Sequence, residues 1–144
     1  MKSIQKKTAS LLSLLLLLFV FRVSAQLIQS YQTIKWLPPF HAWHSQTIPY
    51  PYLLVAQLTI IIFFSTMIKC FYQEKVTPKI MTGKIYLLLG SLYFSFMILR
   101  LILGQFIFKN HLFWSSTLPT LFHLILALFL IIIGLYHLIQ KTKK

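Results

Sequence analysis

Four uninterrupted apolar blocks, at residues 9–25, 52–71, 85–108 and 118–139, limit what this chain can become more than any other feature of it. The last three hold 20, 24 and 22 residues, and about 20 residues of helix cross the hydrocarbon core of a bilayer. The blocks are apolar all round instead of at alternate positions, which excludes the strands of a membrane barrel. Only 10% of the residues are charged, well short of the quarter or so that keeps a globular domain in water. The sequence therefore predicts an all-α, integral membrane four-helix bundle, one transmembrane domain over residues 1–144. Its helices are expected near 9–28, 52–72, 85–108 and 118–140, with an outer loop rich in proline and aromatic residues at 29–51.

The first block carries a second possibility. Lys2, Lys6 and Lys7, the apolar run to Phe21 and the small residues before Gln26 have the three regions of a signal peptide. Cleavage before Gln26 would leave three helices. Against it, Arg22 falls beside the cut and the apolar helical pattern runs on through Leu27 and Ile28. The reading adopted is a retained helix.

A formal charge of +13 suggests nucleic acid until the lysines are placed. Lys2, Lys6, Lys7, Lys69, Lys75, Lys79, Lys84, Lys141, Lys143 and Lys144 fall on one side of the predicted bundle, and only Lys35 and Lys109 on the other. That asymmetry is the positive-inside pattern, so both termini and the middle loop are expected in the cytoplasm, with lysines against anionic headgroups and no nucleic-acid partner. The lone cysteine, Cys70, excludes an internal disulfide and a cysteine metal site.

On the outer side, Trp36, Phe40, Trp43, Tyr50, Tyr52, Phe113 and Trp114 suit an aromatic belt at the headgroups. Pro51 and Pro119 stand near helix starts, where a missing N–H costs little. Ser116 or Thr117 is the expected N-cap of the last helix. Three stripes of spacing four and three mark packing faces. They are Tyr86, Gly90, Tyr93, Met97, Arg100 and Gly104; then Pro119, His123, Ala127, Leu130, Gly134 and His137; then Ala56, Thr59, Phe63, Thr66 and Cys70.

Arg100 is the residue with most to explain. It lies about eight residues, roughly 12 Å, inside the outer end of the third block, where an arginine is costly unless it has partners or a function. No carboxylate of this chain lies at that depth. Arg22, Gln26 and Gln29 share a face of the first helix. Gln57, Gln105 and His123 fall in the outer part of the others. If Arg22, Gln26, Gln57, Arg100, Gln105 and His123 converge, they form a cationic, hydrogen-bonding pocket suited to an anionic headgroup or a quinone ring. The bland alternative is that the arginines snorkel, or hold the Pro-rich loop by its carbonyls.

His123 and His137, 14 residues apart on one helix face, have the spacing of stacked haem ligands in membrane cytochromes, but no second helix offers the matching pair. His41, His44, His111 and His123 are remote candidates for copper. No cofactor is expected. Proton-coupled export by an intramembrane glutamate, dithiol oxidation, Ser-His-Asp chemistry and carboxylate-assisted hydrolysis all lack their residues, so no enzyme activity is expected.

The segments PPFHAWHSQTIPYP, MILRLILG and LPTLFH, with Tyr136-His137 near the end, resemble those of small four-helix bacterial inner-membrane proteins with no assigned activity. The resemblance implies a bacterial inner membrane and an uncleaved first helix, and no chemistry. The expected function is a non-enzymatic accessory or structural subunit of a membrane complex, with Arg100 meeting an acid on a membrane-protein partner; a homo-oligomer is the other possible assembly. The alternative is a binding protein for an anionic lipid or quinone, and haem or copper a remote third.

Overall fold

The computed structural model describes residues 2–43, 48–107 and 116–142. Within them the chain forms five helices and no strand: α1 (Lys2–Tyr31), α2 (Phe40–Trp43), α3 (Tyr50–Tyr72), α4 (Ile80–Phe106) and α5 (Thr117–Thr142). Four of these are long and apolar enough to cross a membrane, over Ser3–Tyr31, Tyr50–Tyr72, Ile80–Phe106 and Thr117–Lys141. The protein is a four-helix bundle of the multi-pass membrane type. α1 begins earlier than its apolar block, taking in the N-terminal lysines and Gln5, which are good helix formers. α4 opens five residues before Ile85.

α5 is the hub. It packs tightly on α4 along one side and on α1 along the other, and α1 packs on α3. The α4–α5 contact follows two of the three stripes expected from the sequence. Gly90 sits against Ala127 and Ile131, and Gly134 against the backbone of Leu87. The third stripe is a correction. Ala56, Thr59, Phe63, Thr66 and Cys70 are all exposed, and α3 buries Gln57, Phe64, Ile68 and Phe71 instead. Small residues permit close approach without requiring it. α3 meets its neighbours through large side chains, chiefly the Phe64 ring stacked on Phe129 of α5, centroids 3.7 Å apart.

The two ends of the bundle are tied differently. At the lysine end, the Val76 carbonyl accepts hydrogen bonds from Gln5 (3.0 Å) and Tyr136 (3.4 Å), and the Lys79 N–H donates to His137 (3.2 Å). α3 closes there in a Schellman turn, with Lys75 N–H on Cys70 O and Glu74 N–H on Phe71 O. Glu74 takes the left-handed position at φ 58°, usually glycine's; Lys6 stands 3.5 Å from its carboxylate. The opposite, aromatic end carries α2 and the Pro-rich segment. Ser116 occupies the N-cap position of α5, its carbonyl accepting from Thr120 N–H.

Outward faces are mostly apolar: Leu17 and Phe21 on α1, Ile62 on α3, Leu88 and Leu92 on α4 are all more than half exposed. In a bilayer that surface is solvated by lipid, which attracts apolar side chains as well as a neighbouring helix would.

Candidate functional site

The polar residues of the aromatic end fall into three groups. The first is a clamp on the loop. Gln29, buried near the end of α1, sends its Nε2 toward the carbonyls of Ile34, Leu37 and Pro38 and accepts the Ile34 N–H at 2.8 Å. The Gln29 amide thus pairs backbone groups of a segment that has left the helix and has no ladder of its own. Trp43 continues the clamp, with its indole N–H on Pro38 O at 2.8 Å. Its ring is 3% exposed and packs 6.3 Å from Phe122. Trp43 therefore plugs the bundle and does not belong to a headgroup belt; Trp36, 94% exposed, is placed for that role.

The second group surrounds a cavity of ≈ 180 Å³ between α1, α3 and α5. Phe19 and Arg22 form its α1 wall, Leu53, Ala56, Gln57 and Ile60 its α3 wall, and Pro119, Phe122, His123 and Leu126 its α5 wall. One turn further in, the stacked Phe64 and Phe129 rings close the floor. Arg22 is buried. Its Nη2 donates to Trp43 O at 3.0 Å, and its guanidinium carbon lies 5.7 Å over the Phe122 ring, a cation–π contact. The Nε–H has no hydrogen-bond partner. Gln57 donates from Nε2 to Gln26 Oε1 at 3.2 Å, leaving Gln57 Oε1 and Gln26 Nε2 without partners. All three residues are more than nine-tenths buried. An unmet polar group at such a depth costs about 1–3 kcal/mol, and three cluster here.

The third group lies between α4 and α5. Tyr93 hydroxyl and His123 Nδ1 share a hydrogen bond with the rings edge to face. Arg100 is 2% exposed on the same face of α4 and interacts with Tyr93 and His123 electrostatically. His123 thus stands between the second and third groups, facing the cavity and bonded to Tyr93.

Of the six residues singled out in the sequence, Arg22, Gln57 and His123 line one cavity, and Gln26 joins it through Gln57. Arg100 is buried to the side. Gln105 is exposed and bonds Thr117 Oγ1 at 2.8 Å, tying α4 to the start of α5. His41 is exposed, and His44 and His111 lie outside the described residues. Among the described residues no three histidine, cysteine or acidic side chains gather. His123 and His137 both turn into the α4–α5 seam, where a methyl on Gly83 would already touch Leu138 at 2.9 Å and His137 at 3.0 Å. The roles of Tyr93, Gln29 and Trp43 were missed from the sequence, although Tyr93 and His123 stood on two stripes expected to pack.

The cavity wall combines Arg22, Gln57 and His123 with apolar, partly aromatic side chains, and neither carboxylate nor thiol lines it. That set can hold and orient a ligand. No family model matches the chain, and none of the curated proteins or solved structures does so either.

Proposed function

We propose that this is a multi-pass protein of a bacterial inner membrane, with both termini cytoplasmic and α1 retained. It acts as a non-enzymatic binding protein for a membrane-soluble amphiphile of the quinone or anionic-lipid kind, held between α1, α3 and α5. The observation that carries this reading is a mostly apolar cavity whose wall includes Arg22, Gln57 and His123, with the Arg22 Nε–H and Gln57 Oε1 left unpartnered behind that wall. A cavity built only for packing would be lined by apolar atoms or would pair its polar ones. The lysine distribution supports the orientation. Arg22 and the buried Ala9, Leu12 and Phe19 all precede the cleavage-like site, so the retained helix is part of the cavity. The accessory-subunit reading with Arg100 on a partner's acid has less support, because the guanidinium is enclosed by its own chain.

Native mass spectrometry of gently extracted protein tests the proposal. The expected spectrum shows a chain that keeps residues 1–25 and carries one stoichiometric adduct, lost in Ala56→Trp. Ala56 lines the cavity from an exposed face of α3, so the larger ring fills the space without displacing the core. An adduct unchanged in that variant, or a chain lacking Arg22, would overturn the proposal.

A further inference from the structure

A second concavity opens at the lysine end of the bundle, apart from the cavity described above. It is a groove of ≈ 260 Å³ between α1 and α5, with Ile4, Thr8 and Leu11 on one bank and Ile132, Leu135 and Gln140 on the other. Polarity is graded along it. Gln140 stands one residue before Lys141 and Thr8 one residue after Lys7. Ile132 lies eight residues further in along α5, roughly 12 Å at the rise of a helix. Lys7 shares the α1 face of Ile4 and Leu11, at spacings of three and four.

Gln140 is 6% exposed. Among the described residues, neither its amide nor the Thr8 hydroxyl has a hydrogen-bond partner. The exposed threonines of α3 behave otherwise, since Thr59 and Thr66 bond carbonyls of their own helix. Buried polar groups are nearly always paired, so Thr8 and Gln140 are suited to acceptors that come from outside the chain. The charge beside the groove says which kind. Lys7 and Lys141 are exposed, and neither meets a carboxylate among the described residues; Glu74, the chain's one acid, faces Lys6. Lysine stems lie over apolar neighbours and carry their charge to the headgroup level, where anionic lipid attracts it. A second copy docked by this face about a two-fold axis would instead bring the same lysines together.

We propose that the groove holds one anionic phospholipid of the leaflet at the lysine end. Its acyl chain lies along Leu11, Ile132 and Leu135, its ester carbonyls accept from Thr8 and Gln140, and its phosphate is met by Lys7 and Lys141. The proposal does not depend on the cavity between α1, α3 and α5 being a ligand site.

Phosphatidylglycerol and phosphatidylcholine with the same acyl chains, titrated into the full chain and read by native mass spectrometry, test it. One phosphatidylglycerol is expected to bind at least about tenfold more tightly than phosphatidylcholine. The double variant Lys7→Gln, Lys141→Gln is expected to remove that preference. Lys69→Gln with Lys84→Gln removes the same charge from α3 and α4 and is expected to keep it. Leu135→Trp fills the groove from an exposed position and is expected to abolish binding, whereas Ala56→Trp leaves it intact. Because the lysines and Leu135 are exposed, these variants leave the core untouched. Equal binding of the two lipids, or an equal loss in both lysine pairs, would reduce the groove to general lipid contact and overturn the proposal. Binding lost in Ala56→Trp but kept in Leu135→Trp would move the lipid to the other cavity. A dimer that Leu135→Trp splits would give the groove to a second copy, and either result also overturns it.

Discussion

Gly134 and Gly83 belong to the same helix pair but stand against different things. A methyl on Gly134 would lie 2.6 Å from the backbone nitrogen of Leu87, whereas one on Gly83 meets mainly the Leu138 side chain, at 2.9 Å. A backbone cannot step aside and a leucine tip can. Gly134→Ala is therefore expected to cost about 1–3 kcal/mol and Gly83→Ala distinctly less, measured as unfolding of the detergent-solubilised protein. Equal losses would show that α4 and α5 are not in backbone contact at Gly134. These two stripes could be read from the sequence because glycine at helical spacing has little other use in a membrane. The α3 stripe misled because threonine does have another use. Thr59 and Thr66 turn their hydroxyls onto Val55 O and Phe63 O of their own helix, so each can face lipid with its polar atom satisfied.

At the scale of elements, the connection at the aromatic end depends on one side chain of α1. Gln29→Leu removes four contacts to residues 34–38. Hydrogen exchange of the Ile34 amide is expected to speed up by an order of magnitude or so, while amides inside α4 keep their protection. Unchanged exchange at Ile34 would mean the loop holds itself. The sequence placed Arg22, Gln26 and Gln29 on one face and matched Arg22 with Gln57 and His123 by depth, and that part of the site was legible. Arg100 was not, because depth says nothing about the order of helices around a bundle. In the row α3–α1–α5–α4, the α4 face bearing Arg100 looks into α5 and away from the cavity.

For the molecule as a whole, the four helix ends that carry most of the lysines meet on one side, joined through Val76, Lys79 and the Lys6–Glu74 pair. If that side is the cytoplasm, a cysteine introduced at Lys79 in a Cys70→Ser background should resist an impermeant maleimide added to intact cells and react after lysis. Labelling from outside would invert the orientation and put the cavity in the inner leaflet. Span number and class were plain in the sequence because apolar block length is set by bilayer thickness. Which helices touch is set by side-chain shapes in three dimensions, and only the glycine seam announced itself.

The Phe64–Phe129 stack has a consequence for the membrane as an electrical barrier. Below the cavity floor it continues into Leu12, Ile68, Phe71 and Ile133, all buried and apolar. Together they form a dry septum across the middle of the bundle. A cavity ending on that septum leads nowhere, so protons and ions reaching Arg22 from one face find no onward path to the other. Cells that overproduce the protein should hold their membrane potential, with the bilayer's insulation intact around a chamber that ends blind.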